Sequence, residues 1–367
     1  MHNEAPGGLG PAREANGRPR RGRRPYHYTS RGGSPSDGHP TYAALDLGTN
    51  NCRLLVARPE GGSFRVVDAF SRIIRLGEGV SLSGRISEAA IARAVGALAV
   101  CRDKMRHGGV SRARLIATEA CRAAENGEAF CARIREEVGL DLEIVDRGTE
   151  AALAATGCTP LMDPDADSAI LFDIGGGSSE LVRLGRSRPT NGGPPDPTIR
   201  GWVSLPFGVV TLAERHGGVH VTPDRFRAMV AEVFPQVAAF AAAHGRDLGR
   251  VHLLGTSGTV TTVAGVHLGL VRYDRRKVDG CWLTESETTA VIEQLVSMGY
   301  EARVANACIG AERADLVLAG CAILEAIRRA FPCERLRVAD RGLREGMLVQ
   351  MMRADGVWTP ATRGAKP

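Results

Sequence analysis

Aromatic side chains are scarce in this chain, at 5% of its 367 residues. A protein that grips single strands by stacking bases needs more of them, so nucleic acid is not expected as a partner. The nine cysteines stand singly, at positions 52, 101, 121, 131, 158, 281, 308, 321 and 333, with no CxxC pair and no Cys/His cluster. Neither a zinc site nor a disulfide framework follows from that spacing, and buried thiols in a reducing compartment are the simplest reading. No apolar run follows the N-terminal charges, and none approaches the roughly 20 residues that cross a bilayer. A secretory signal and a membrane partner are therefore not expected, and the cytoplasm is the expected location. The phosphate loop GxxxxGK[ST] is also missing.

Hydrophobic residues (43%) and charged residues (24%) are present in ordinary proportion for a globular protein. At this length two domains are the prior. The net charge of +6 is uneven, because residues 1–40 hold seven Arg against two Glu and one Asp. That stretch is rich in Gly, Pro and Arg without apolar periodicity, and is expected to be disordered. It is either a solvated extension or an electrostatic tether for a polyanion.

After Pro40 the pattern runs strand, strand, strand (42–46, 53–58, 64–70), and a helix follows from about Ser87, which suits an N-cap. A strand at 113–118, a helix through Phe130, Ile134 and Val138, a strand at 142–145 and a helix from Glu150 complete the first series. The order then restarts with strands at 169–173, 179–184 and 201–205, the last separated by a Pro/Gly-rich segment, 185–200, read as a long mobile loop. Thr222-Pro223 opens a helix with a kink expected at Pro235. A strand at 251–256, a helix near 314–330, a strand at 336–339 and a helix at 343–352 follow. The repetition predicts two related α/β domains with a cleft between them, at 41–160 and 161–340. A helix at 341–356 is expected to cross back onto the first domain, before a tail at 357–367.

Two segments carry one device. Tyr42-Ala-Ala-Leu-Asp46-Leu-Gly48-Thr49-Asn50-Asn51 and Ala169-Ile-Leu-Phe-Asp173-Ile-Gly175-Gly176-Gly177-Ser178-Ser179 each run from an apolar strand into a carboxylate. Glycines and small polar residues follow, then a second strand. Such turns aim several N–H groups at one anion, and two facing copies would clamp a phosphate chain. Asp46 and Asp173 would repel a bare phosphate, so Mg²⁺ between them and the phosphate oxygens is implied. A pair of ligand-free hairpins is the alternative. Arg122, where a strand hands over to a helix, is either a phosphate fork or a surface helix residue. Glu150 either orients a water or complements its helix dipole. Gly255-Thr256-Ser257-Gly258-Thr259 either lines the distal end of the cleft or is a plain strand-to-helix turn.

Together these motifs resemble the exopolyphosphatase/guanosine pentaphosphate phosphatase (Ppx/GppA) family. The resemblance spans about residues 42–350. It rests on Asp46-Leu-Gly-Thr-Asn, Ala117-Thr-Glu-Ala-Cys-Arg122, Glu150-Ala-Ala-Leu-x-x-x-Gly157 and Asp173-Ile-Gly-Gly-Gly-Ser-Ser-Glu180, and continues in Leu205-Pro-Phe-Gly208, Gly255-Thr-Ser-Gly-Thr, Glu312-Arg-Ala-Asp315 and Asp340-Arg-Gly-Leu-Arg-Glu-Gly346. It implies two ribonuclease-H-like domains of the sugar kinase/Hsp70/actin superfamily and Mg²⁺-dependent hydrolysis of a terminal phosphoanhydride. By this analogy Glu150 matches the general base, and Asp173 with Glu180, joined by Asp46, the metal-holding group. Gly48, Thr49, Asn50, Asn51, Arg122, Gly175, Gly176, Gly177, Ser178 and Ser179 match phosphate contacts. Thr49 and Asn51 stand where Ser is usual, and Glu119 stands in place of a small residue, adding negative charge beside the cleft. The implied substrate is inorganic polyphosphate, with guanosine pentaphosphate as the alternative and a non-hydrolytic nucleotide switch as a third reading. Longer relatives add a C-terminal helical domain, so short chains or nucleotides stay in view. A homodimer is expected by analogy only.

Overall fold

The computed structural model describes residues 40–187 and 196–358. The tail read as disordered, the tip of the segment read as a mobile loop (188–195) and residues 359–367 lie outside these described residues. Eleven strands form two sheets. The first holds β1 (Tyr42–Leu47), β2 (Asn51–Glu60), β3 (Ser63–Ile73), β4 (Arg112–Ala117) and β5 (Glu143–Ile144), in the order β3-β2-β1-β4-β5. The second holds β6 (Ser168–Ile174), β7 (Ser179–Ser187), β8 (Asp196–Leu205), β9 (Val251–Thr256), β10 (Trp282–Thr284) and β11 (Arg335–Ala339), in the order β10-β11-β9-β6-β7-β8.

Set aside β10 and the two orders are the same. In each sheet an antiparallel hairpin leads, and a parallel strand lies on its other side: β4 beside β1, β9 beside β6. The central strands β1 and β6 are apolar on both faces because helices cover both sides of each sheet.

On one face of the first sheet, the Glu88–His107 and Gly127–Val138 helices bury Ile91, Leu98, Phe130 and Ile134. Ser87 caps the former by accepting from the Ala90 amide. On the other face lie the Arg147–Cys158 and Leu343–Ala354 helices, with Leu153, Met347, Leu348 and Met352 packed on Tyr42, Ala44 and Leu55. The C-terminal helix thus covers the sheet that opens the chain, and Tyr42 donates its hydroxyl to Asp355 Oδ2 at 2.7 Å. The two helices approach through glycine: a Cβ on Gly157 would lie 2.1 Å from the Gly342 carbonyl oxygen. The Arg147–Cys158 helix also packs Ala151, Ala155 and Cys158 on the second sheet. It is a wedge held by both sheets, and Glu150 rides on its first turn.

On the second sheet's far face, Pro223–His244 packs Phe226, Met229, Val230, Val233 and Val237 beside the Val317–Ala330 helix. Thr222 caps it, and it runs as one helix through Pro235. It is 22 residues long and its most apolar 18-residue stretch has a mean hydropathy of 1.2, enough to cross a membrane by length and composition alone, against the sequence expectation. Its apolar face is buried in the core of this domain. Of the segment read as loop from 185 to 200, the described flanks 185–187 and 196–200 are strand, with Gly185 paired to Thr198 and Leu184 to Ile199.

A loop from the first sheet reaches across to the second. Arg75 grips Asp315 with two bonds, of 2.9 and 3.1 Å, and the Gly79 amide donates to Glu214 Oε1 at 2.9 Å. The same loop donates the Ile74 and Arg75 amides to the Asn50 carbonyl and the Gly77 amide to Thr49. Arg75 has a φ of 47°, a left-handed conformation that costs a side-chain-bearing residue.

Candidate active site

Each hairpin turn closes on its own backbone: the Gly48 amide donates to the Asn51 carbonyl at 2.9 Å, and Gly175 to Ser178 at 3.0 Å. The carbonyls inside each turn are tied outward. Those of Thr49 and Asn50 accept from the loop at 74–77, and those of Gly175 and Gly176 accept from Val209 and Val210 at the head of the next helix. Carbonyls engaged elsewhere in this way are what an anion-binding nest requires, since they leave the neighbouring amides free to meet an anion.

The two turns meet. A methyl group on Gly176 would lie 2.8 Å from Thr49 Cβ and 3.2 Å from the Asn50 amide nitrogen, and one on Gly177 would lie 2.9 Å from Thr49 Oγ1. Between and beneath them is a cavity of about 120 Å³. Its wall includes Gly48, Thr49, Asn50 and Asn51 from the first turn, and Gly175, Gly176, Gly177 and Ser178 from the second. The acids Asp46, Asp173, Glu180 and Glu150 line it as well.

These acids are crowded and shielded from water. Burial pushes Asp46 up to about 6, with Arg53 and Arg344 pulling the other way. Burial also raises Asp173, opposed by a hydrogen bond from Ser257 Oγ to its Oδ1. Glu180 is raised by burial and then by Asp173, although Ser178 and Ser204 each donate to its Oε1 at 2.9 Å. Glu150, 6% exposed, is raised by burial and then by Glu180, against the pull of Arg122. Three buried oxygens here lack any hydrogen-bond partner: Asn50 Oδ1, Asn51 Oδ1 and Glu150 Oε2.

Several residues picked from the sequence sit differently from the rest. Ser179 is fully buried and donates its hydroxyl to the Phe207 carbonyl at 2.7 Å, on the side of β7 away from the cavity. Alternation along a strand carried that signal, since Ser178 and Glu180 share one face and Ser179 takes the other. Arg122 is not on the cavity wall. Its Nε donates to Glu119 Oε2 at 3.0 Å, its Nη1 to the Val145 carbonyl, and its Nη2 lies 2.7 Å from Glu150 Oε2 without hydrogen-bond geometry. Glu119 is on the wall, but its charge is met by Arg122 and by Arg147 at 2.9 Å.

The Gly255–Thr259 segment divides in two. Gly255 backs onto Phe172, and Thr256 donates to the Arg341 carbonyl, so neither lines the cavity. Ser257, Gly258 and Thr259 do line it, and they adjoin Asp173 rather than a distal end. Ser257 carries a φ of 75° at the head of the Ser257–His267 helix, a strained position that aims its hydroxyl at Asp173.

Sequence reasoning missed two cations on the wall, Arg53 and Arg313. Arg53 pairs across β1 and β2 with Asp46, as Glu180 pairs across β6 and β7 with Asp173. That matched register was the available signal.

The donors present fit a hard divalent cation, being oxygens only, three of them unsatisfied and four acids pushed up in pKa. Among the described residues no three His, Cys, Asp or Glu side chains converge on one point. A cation here would complete its shell with water and ligand oxygens, as Mg²⁺ commonly does.

Known proteins share this construction. The model of the Ppx/GppA phosphatase family matches residues 55–355. Exopolyphosphatase 2 of Mycobacterium tuberculosis is 26% identical over 325 residues, covering 84% of this chain and 98% of that protein. The crystal structure of the Aquifex aeolicus Ppx/GppA family member superposes with a TM-score of 0.71 at 27% identity, over 86% of this chain and 98% of that one. An exopolyphosphatase from Cytophaga hutchinsonii, 24% identical, shares the fold at a TM-score of 0.75 over 87% of this chain and 100% of its own. The repeated sheets are those of the actin-like α/β fold, and with the family model covering most of the folded chain, this protein belongs to the Ppx/GppA phosphatase family.

Proposed function

We propose that the protein is an exopolyphosphatase that hydrolyses the terminal phosphoanhydride of inorganic polyphosphate, with Mg²⁺ as cofactor and Glu150 as general base. The observation that carries this reading is Glu150, a buried carboxylate pushed up to about 8 chiefly by burial, on the wall of a cavity lined by both glycine turns.

Phosphoryl transfer to water asks chiefly for positioning and for neutralising the equatorial oxygens. The amides of the two turns would hold the terminal phosphate, with the Thr49 hydroxyl beside them. Arg53 and Arg313 would offset charge further along the chain. Bound among Asp46, Asp173 and Glu180, Mg²⁺ would neutralise phosphate charge and draw these raised acids into their ionised form. Glu150 would accept a proton from a water held in line at the carboxylate oxygen not paired with Arg122, and its burial makes it a stronger base than an exposed carboxylate.

The test is orthophosphate release from polyphosphate, guanosine pentaphosphate and ATP in parallel, each with Mg²⁺ and with chelator. Preference for guanosine pentaphosphate would replace the substrate while keeping the site, and binding without turnover would favour a nucleotide switch. Glu150→Gln is expected to cut turnover by a factor on the order of 10²–10⁴ while sparing affinity. Near-normal turnover would remove Glu150 from the base role.

A further inference from the structure

Glu150 Oε2 is ion-paired with Arg122 Nη2 at 2.7 Å, but the N–H bonds of that nitrogen are turned off the line to it. The cause lies one residue further out. Arg122 is held edge-on by Glu119, whose Oε2 accepts from both Nε and Nη2, while the Val145 carbonyl takes Nη1. Left to itself, an arginine beside a carboxylate settles into a two-bond fork, with the Nε/Nη2 edge facing both oxygens. In this protein Glu119 occupies that edge.

Glu119 is itself fixed. Arg147 Nη2 holds its other oxygen at 2.9 Å, and its Cγ would lie 3.0 Å from a methyl group on Gly177, so its stem abuts the second turn. Its side chain is only 14% exposed. A carboxylate in the first turn of a helix, three residues before an arginine, is usually an ordinary surface pair. This pair is buried, anchored from a second side, and directed at the base.

We propose that Glu119 is a positioning residue: it engages the forked edge of Arg122 so that the guanidinium meets Glu150 through Nη2 at Oε2 alone, leaving the second carboxylate oxygen to the attacking water. The proposal rests on the hydrolytic reading of Glu150 and extends it to a residue that sequence comparison marks only as an added negative charge. Without Glu119, the Arg122 fork rotates onto both oxygens of Glu150 and occupies the one that the water needs.

The experiment is steady-state hydrolysis of polyphosphate of defined length by Glu119→Ala, Glu119→Gln and Arg122→Met, and by the Glu119→Ala/Arg122→Met double variant. Glu119→Ala is expected to lower kcat on the order of 10- to 100-fold, the cost of misplacing a reacting group by about 1 Å, with KM changed less than about threefold. Glu119→Gln keeps an oxygen that accepts from both Nε and Nη2, and is expected to restore kcat to within about fivefold of wild type. Because Glu119 acts through Arg122, adding Glu119→Ala to Arg122→Met should cost nothing further. Full additivity in that cycle, or a glutamine variant as impaired as alanine, would overturn the proposal. If Glu119→Ala does not fold, Glu119→Ser takes its place in the cycle with the same expected outcomes. Failure of the hydrolytic reading is recognised separately, by wild-type protein that releases no orthophosphate from any substrate. In that case a crystal structure of the Glu119 variant still decides: Arg122 forked onto Glu150 supports the positioning role, and an unmoved guanidinium refutes it.

Discussion

Replacing Gly176 by alanine tests the contact on which the site depends. The added methyl would lie 2.8 Å from Thr49 Cβ and 3.2 Å from the Asn50 amide nitrogen. Carbon atoms rest comfortably at about 3.5–4.0 Å, so one turn must move by roughly 1 Å. The second turn cannot retreat. A Cβ on Gly208 would be 2.2 Å from the Gly176 carbonyl carbon, and the Val209 and Val210 amides hold the Gly175 and Gly176 carbonyls at 2.9 and 2.8 Å. Gly176 is outside the left-handed region, so alanine brings no backbone penalty of its own. The whole cost is overpacking, about 1–3 kcal/mol. The strain falls on the first turn, pushing its amides off the anion they share with the second, and about 1 Å of misplacement lowers turnover on the order of 10²-fold. Urea denaturation and orthophosphate release, measured on Gly176→Ala, Thr49→Gly and the double variant, form a cycle. Removing the Thr49 side chain should recover much of the stability lost by Gly176→Ala. An alanine variant with unchanged stability and unchanged kcat/KM would refute the idea that these turns touch, as would strict additivity with Thr49→Gly.

Two further outcomes follow from the same geometry. Asp46 is raised to about 6 and Glu150 to about 8, with Asp173 and Glu180 also raised, so the folded protein holds protons that the unfolded chain releases near pH 4. In chelator, stability from these groups is fully present below about pH 4 and is lost as pH rises towards 8, and Mg²⁺ should offset the loss. Melting temperatures across that range, with and without Mg²⁺, check this, and a metal-free protein that gains stability from pH 5 to 8 would contradict the raised values. Arg75 combines a half-buried ion pair with a φ of 47°. Arg75→Ala should cost about 1 kcal/mol in denaturant titrations, and Arg75→Gly less, because glycine relieves the backbone while losing the same pair. A glycine variant less stable than alanine would show that the backbone there is unstrained.

Strands and caps with strong local chemistry were legible in the sequence. Alternation and apolar runs located β1, β2, β6 and β7, and Ser87 and Thr222-Pro223 located helix starts that bear the expected caps. The doubled order, strand hairpin then parallel strand, was legible because each half repeats the same carboxylate-to-glycine step. The Ser257–His267 helix was not. It is built from Thr259, Val260, Thr261, Thr262 and Val263, β-branched residues of poor helix propensity, and forms because it is buried between β9 and the Val317–Ala330 helix. The β8 strand was read as too short because its first half, Asp196 to Arg200, carries Pro197 and a single apolar side chain, Ile199, in place of an apolar run, and pairing with β7 extends it. Of the acids, Asp46, Glu150, Asp173 and Glu180 could be named from spacing and resemblance, and all four line one cavity. Arg53 was marked only by its register opposite Asp46, and Arg313, one among 47 basic residues, by no pattern at all. Arg122 was placed by its helix end, yet the residue three positions earlier, Glu119, had already signalled a side-chain pair.

The matched register of the two hairpins has one more implication. Seven positions after each strand-end aspartate the twins differ, arginine at 53 in one and glutamate at 180 in the other. The scaffold is therefore nearly twofold while its electrostatics are polar. An anion lying across the seam meets a cationic flank at Arg53 and an anionic flank at Glu180. For a guest with two identical ends, that polarity decides where along the seam its charge settles, and two side chains decide it rather than the surrounding architecture.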